Sequence, residues 1–178
     1  MIIDFHTHMF PDKIAARTID FLSKTGGDMN PFTDGTWKGL KESTKQAGID
    51  HSIVLPIATR PGQFHTINEF ATHFQEGTLI SFGSLHPESE NYKEELRQIQ
   101  DMGMKGIKLH PDYQDTYFND IRYKRIISYA TELGLIISVH AGQGPKCPDN
   151  IHCTPAMAEE VLNEVEPEKL VLAHMGGN

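Results

Sequence analysis

Short apolar runs rich in β-branched residues alternate along this chain with longer stretches of helical period. The runs are Ile2–Phe5, Ser52–Leu55, Leu79–Phe82, Gly106–Leu109, Leu135–Val139 and Leu170–Ala173. Each is short enough for a buried strand, and their spacing leaves room for a crossover helix, the sequence mark of βα units and a parallel sheet. Between them, Tyr92, Leu96, Ile99 and Met102 fall on one helical stripe, as do Tyr123, Ile126, Ile127, Ala130 and Leu133. Thr154-Pro155 reads as an N-cap with proline at the first helical position; Ala158, Val161, Leu162 and Val165 continue that helix and Pro167 stops it. Gly103 and Gly134, each between a helical run and a strand, are expected as left-handed C-caps. Residues 9–48 hold two helical patterns around an expected exposed loop, Gly26–Pro31.

At 178 residues, with no linker, charge block or close repeat, the chain reads as a single domain over residues 1–178. Its net charge of −8 argues against a nucleic-acid backbone or an anionic membrane as partner, because both demand clustered positive charge. No apolar run has the length of a membrane span and residues 1–8 do not resemble a signal peptide, so a cytoplasmic location is expected. Cys147 and Cys153 flank His152, a weak zinc-like cluster better read as free loop thiols in a reducing compartment.

The histidines change the picture. Of the ten, His6, His8, His86, His110, His140 and His174 sit at or just past the carboxyl end of an expected strand. In parallel α/β folds ligands and catalytic groups gather there, because helices cover the sheet faces while those loops are free to vary. The strand period of two places Asp4, His6 and His8 on one face, with Phe5 and Thr7 on the other. Two imidazoles would then meet one cation; the competing reading is a pair that caps a strand and bonds to loops. His140, ending Ile137-Ser138-Val139, favours the metal. Asp4 is then expected to orient an imidazole rather than to ligate. His174, before Met175-Gly176-Gly177, is another ligand or a protonatable group beside the metal. His110 shares a face with Lys108, whose inward position suggests an ion pair or a polar layer inside a barrel more than a carbamate. His86 stays ambiguous, and His51, His65 and His73 read as surface residues. Arg60, in the loop after the second strand, is either a carboxylate anchor or a solvated side chain.

Four motifs in order, Ile-Asp-Phe-His-Thr-His, Gly-Ile-Lys-Leu-His-Pro, Ser-Val-His-Ala-Gly and Leu-Ala-His-Met-Gly-Gly, together resemble the amidohydrolase-related proteins of the amidohydrolase superfamily, the branch that includes metal-dependent decarboxylases. The resemblance implies a distorted (β/α)8 barrel of the TIM type with a divalent metal, most often zinc and alternatively manganese, at its carboxyl-end face. It implies His6, His8 and His140 as ligands, and His174 as the histidine that binds or polarises substrate or water. The implied activity is hydrolysis of a small carbonyl or amide substrate by metal-activated water, with decarboxylation of a small unsaturated or aromatic acid as the alternative.

That family's barrel has eight strands and an essential aspartate after the last, whereas this chain presents about six βα units. A partial barrel is therefore expected, with a weakly held or missing metal and a tendency to form homo-oligomers or to associate through the open edges of its first and sixth strands. A binding or assembly subunit without activity is the reading from a different class.

Overall fold

The structure, a computed structural model, describes residues 1–26, 30–75, 77–144 and 149–177. Its elements run β1 (Ile3–Thr7), α1 (Asp12–Thr25), α2 (Trp37–Gln46), β2 (His51–Val54), α3 (Phe64–Thr72), β3 (Leu79–Ser81), β4 (Gly83–Ser84), α4 (Tyr92–Asp101), β5 (Gly106–Leu109), α5 (Ile121–Glu132), β6 (Ile136–Val139), α6 (Pro155–Val165) and β7 (Leu170–Leu172). Every strand pairing is parallel, in the orders β1-β2-β3 and β4-β5-β6-β7. The expected third strand is thus two segments separated by Phe82. The chain stays in line there because the Phe82 amide donates to the carbonyl of Val54 at 2.9 Å. Asn68 of α3 secures the break: its side-chain amide donates to the carbonyls of Phe64 and Ser84, and its oxygen accepts from the Ser84 amide, each at 2.8 Å.

The helices form where local signals predict them. Thr154 caps α6 by accepting from the Met157 amide, with Pro155 in the first turn, and Glu166 ends the helix in the left-handed region just before Pro167. Gly103 and Gly134 take φ of 78° and 70°, as C-cap positions require. Residues 27–29, the middle of the expected first loop, lie outside the described residues.

Helices and sheet bury two layers. On the helix side, Leu85, Ile107, Leu109, Ile137 and Val139 pack against Leu96, Ile99, Tyr123, Ile126, Ile127 and Val161. Leu162, expected on the same face, is 43% exposed. On the opposite side of the sheet a smaller cluster joins Ile53, Leu55 and Phe82 to Phe5, Ile80 and Ile136. This inner face also carries the alternating residues Lys108, Ser138 and His140, because Ile107, Leu109, Ile137 and Val139 take the outer positions.

The period of two fails at β1. A register shift between Asp4 and Thr7 breaks the alternation. Thr7 still points away from the histidines, donating its hydroxyl to Ile53. Phe5, however, joins the inner cluster and meets Phe82 edge-on at 5.7 Å. Asp4 pairs with Ser52, whose hydroxyl bonds Thr44 of α2, so that register position faces the helices. The expectation that Asp4 shares a face with His6 and His8 is corrected by this bulge.

Candidate functional site

The end of β1 and the loops after β1, β5, β6 and β7 bring five imidazoles together. The Nε2 atoms of His6 and His8 are 3.2 Å apart. The rings of His6 and His174 lie 4.9 Å apart, as do those of His140 and His174, and His174 Nε2 stands 3.1 Å from His140 Nδ1. His110 stacks on His140 at 4.0 Å and on Tyr113 at 4.0 Å, both nearly parallel. Gln114 holds this rim in register. Its amide donates to Ala58 and Leu85, and its oxygen accepts from the His110 amide and the Tyr123 hydroxyl, so one buried side chain ties the loops after β2, β4 and β5 to α5.

The cluster is held neutral. Burial, reinforced by the Lys108 ammonium, pushes His6 down to about 3 and His8 to about 4. Burial and then the His174 and Lys108 charges push His140 to about 4. Burial with His140 and Lys108 lowers His110 further, and burial followed by the Lys108 charge lowers His174. Lys108 itself is 0% exposed, its Nζ makes no hydrogen bond among the described residues, and burial brings its pKa down to about 8. It forms no ion pair among the described residues, so the polar-layer reading holds and the ion-pair reading does not.

Neutral imidazole is the form that binds metal. His8 Nδ1 donates to the Leu55 carbonyl at 2.8 Å, which leaves its Nε2 lone pair turned toward His6. Two nitrogens of a tetrahedral zinc at ordinary Zn–N lengths stand about 3.3 Å apart; the His6–His8 pair at 3.2 Å has that spacing. The opening pair therefore fits a cation. Among the described residues no group of three or more His, Cys, Asp or Glu side chains is arranged to hold a metal.

The other expected site residues divide. Asp4 accepts from the His6 main-chain amide at 3.1 Å instead of orienting a ring. Arg60 is exposed and its amide is bonded to Gln63; among the described residues no hydrogen bond or ion pair joins it to the imidazoles. His86 is buried beside its own loop, accepting from the Glu88 amide. Cys153 is buried and its thiol is pushed up to about 12, so it belongs to the core and not to a reactive loop; Cys147 lies outside the described residues. His174 and Met175 adopt left-handed φ of 56° and 57°, a strained turn of the kind found at functional sites. Two residues were not legible beforehand. Asp112, 1% exposed, accepts from His152 Nδ1 at 2.9 Å and approaches His140 Nε2 at 3.6 Å. His152 had stood out only through its flanking cysteines, and no spacing rule singles out Asp112.

Parallel βα units with imidazoles at the carboxyl ends of the strands define a partial TIM-type barrel of the metal-dependent hydrolase kind. A family model described as amidohydrolase matches residues 3–178, and the chain belongs to that family. The crystal structure of Metarhizium anisopliae IDCase in apo form matches with a TM-score of 0.70 and 16% identity, over 98% of this chain and 65% of that one. A probable 2-pyrone-4,6-dicarboxylic acid hydrolase from Acinetobacter baumannii matches with a TM-score of 0.61 and 13% identity, over 98% of this chain and 58% of that one. A 5-carboxyvanillate decarboxylase from Novosphingobium aromaticivorans, solved with bound manganese, matches with a TM-score of 0.60 and 14% identity, over 84% and 53%. The chain thus spans about two thirds or less of the length of these structures, two of which are named as a hydrolase and a decarboxylase. No curated protein matches it. Among the described residues no helix is long and apolar enough to cross a membrane.

Proposed function

We propose that this chain carries the site of a metal-dependent hydrolase acting on a small carbonyl or amide substrate. The observation that supports it most is the His6–His8 pair, whose facing Nε2 atoms have the spacing of two ligands on one ion and whose His8 tautomer is set by Leu55. His6 and His8 would hold a zinc or manganese ion, with His140 as the next ligand. Such an ion, when bound, acidifies a water toward neutral pH and polarises a carbonyl. His174, neutral and at the rim, would take or return a proton at Nε2, the atom it now shares with His140. His110 would face substrate from its stack, and Arg60 would meet a carboxylate entering past the loop after β2.

Decarboxylation of a small unsaturated or aromatic acid is the second reading. It draws support from Lys108, a buried ammonium without an ion pair among the described residues, which makes this pocket favourable to an anion. Association of copies through the outer edges of β1 and β7, each paired on one side only among the described residues, belongs to the same proposal.

The test is turnover of a panel of small amides, lactones and carboxylic acids with zinc or manganese, with carbon dioxide detected separately. Metal-dependent turnover that falls about 100-fold in His174→Gln supports the site, and carbon dioxide release selects the second reading. A protein that takes up neither metal after reconstitution refutes both and favours a binding or assembly subunit.

A further inference from the structure

Asp112 lies behind the imidazole cluster, in the loop after β5, with its two oxygens facing two different rings. Oδ1 accepts from His152 twice, from the ring Nδ1 at 2.9 Å and from the main-chain amide at 3.3 Å. Oδ2 is 3.6 Å from His140 Nε2, a buried nitrogen with no hydrogen bond among the described residues. Tyr117 stacks on His152 at 4.8 Å and holds that ring in place. The main chain closes the pocket at Gly144, where a Cβ would overlap Asp112 Oδ2 and stand 3.2 Å from His140 Nε2.

We propose that Asp112, held by His152, is the positioning residue for His140: it receives the Nε2–H of the neutral ring and so leaves Nδ1 as the lone-pair nitrogen turned toward the rim. A neutral imidazole carries one ring proton, and two placements are open. With the proton on Nδ1, the Nε2 lone pair would face a carboxylate oxygen in a buried pocket, two acceptors opposed. With the proton on Nε2, the 3.6 Å gap shortens to a hydrogen bond by a small ring rotation, and Nδ1 accepts from His174 Nε2–H at 3.1 Å. The second placement gives both ring nitrogens of His140 a complementary partner; the first opposes two acceptors. His152 matters because its two bonds stop the carboxylate from turning away. The orienting role expected of Asp4 thus passes to a residue 108 positions along the chain.

The tautomer assignment stands on geometry alone, and its consequence for metal affinity rests on the reading of His140 as a ligand. In Asp112→Asn the amide oxygen still serves His152, which turns the NH2 group toward His140 and favours the opposite tautomer. Long-range 1H–15N NMR of the labelled protein at pH 7.5, with His140 assigned from its loss in His140→Asn, reads this directly. We expect His140 protonated at Nε2 in the wild type and at Nδ1 in Asp112→Asn, with zinc affinity, measured by chelator competition, lower by about 10- to 100-fold. Wild-type His140 protonated at Nδ1 overturns the proposal whether or not the variant folds. So does a folded Asp112→Asn variant with unchanged tautomer and zinc affinity. A wild type that binds no zinc refutes the metal reading instead, and the tautomer comparison alone then decides the role of Asp112.

Discussion

Lys108 offers a test of how this site trades stability for chemistry. Its side chain is 0% exposed, its ammonium has no hydrogen bond among the described residues, and burial lowers its pKa from 10.5 to about 8. At about 1.4 kcal/mol per pH unit, holding the charge in the folded state costs on the order of 3 kcal/mol below pH 8. Lys108→Met fills the same volume without the charge, so at pH 7 the variant should be more stable than the wild type by about that amount. The sign with pH follows from linkage. Between pH 8 and 10.5 the unfolded chain binds a proton that the folded one does not, so wild-type stability rises through that window while the variant gains nothing from this position. Urea denaturation of both proteins at pH 7, 9 and 10.5 measures the difference. It should be largest at pH 7 and close by pH 10.5. A variant no more stable than wild type at pH 7, or one whose advantage persists at pH 10.5, would refute the account of Lys108 as an uncompensated buried charge.

Other perturbations bear on the same site. The imidazoles titrate in the opposite region: His6, His8 and His140 fall from 6.5 to between about 3 and about 4 on folding, so the unfolded chain binds more protons below pH 6.5. Stability should be lost as pH falls from 6.5 toward 4, and His8→Gln should show a shallower loss in the urea midpoint. Asn68→Leu removes three buried hydrogen bonds and leaves the Ser84 amide without its acceptor, which should cost about 3 kcal/mol in chemical denaturation. A loss below 1 kcal/mol would show that the break at Phe82 is held by something else. Gly144→Ala forces Asp112 and His140 apart and should weaken zinc uptake while leaving α4 and α5 intact by circular dichroism. Unaltered uptake would mean that the carboxylate and the ring move together.

What the sequence determined by itself is whatever rests on local period. The alternation of β-branched runs with helical stripes specified parallel βα units, because burial against a sheet and against helices imposes periods that each segment must satisfy where it stands. Caps at Thr154, Gly103 and Gly134 were legible for the same reason: a terminal amide or a left-handed turn is satisfied by a residue within a few positions. The gathering of histidines at strand ends was legible because parallel topology sends all of those ends to one side. Tertiary structure decided the rest. The bulge in β1 answers to the register against β2 and moved Asp4 to the helix side. The break at Phe82 depends on Asn68, from another element. His110, stacked on His140, and Asp112, placed between His140 and His152, are defined by neighbours from other strands and loops. Partners that meet only when distant loops converge leave no periodicity behind, and a lone aspartate after His-Pro looks the same whether it faces solvent or an imidazole.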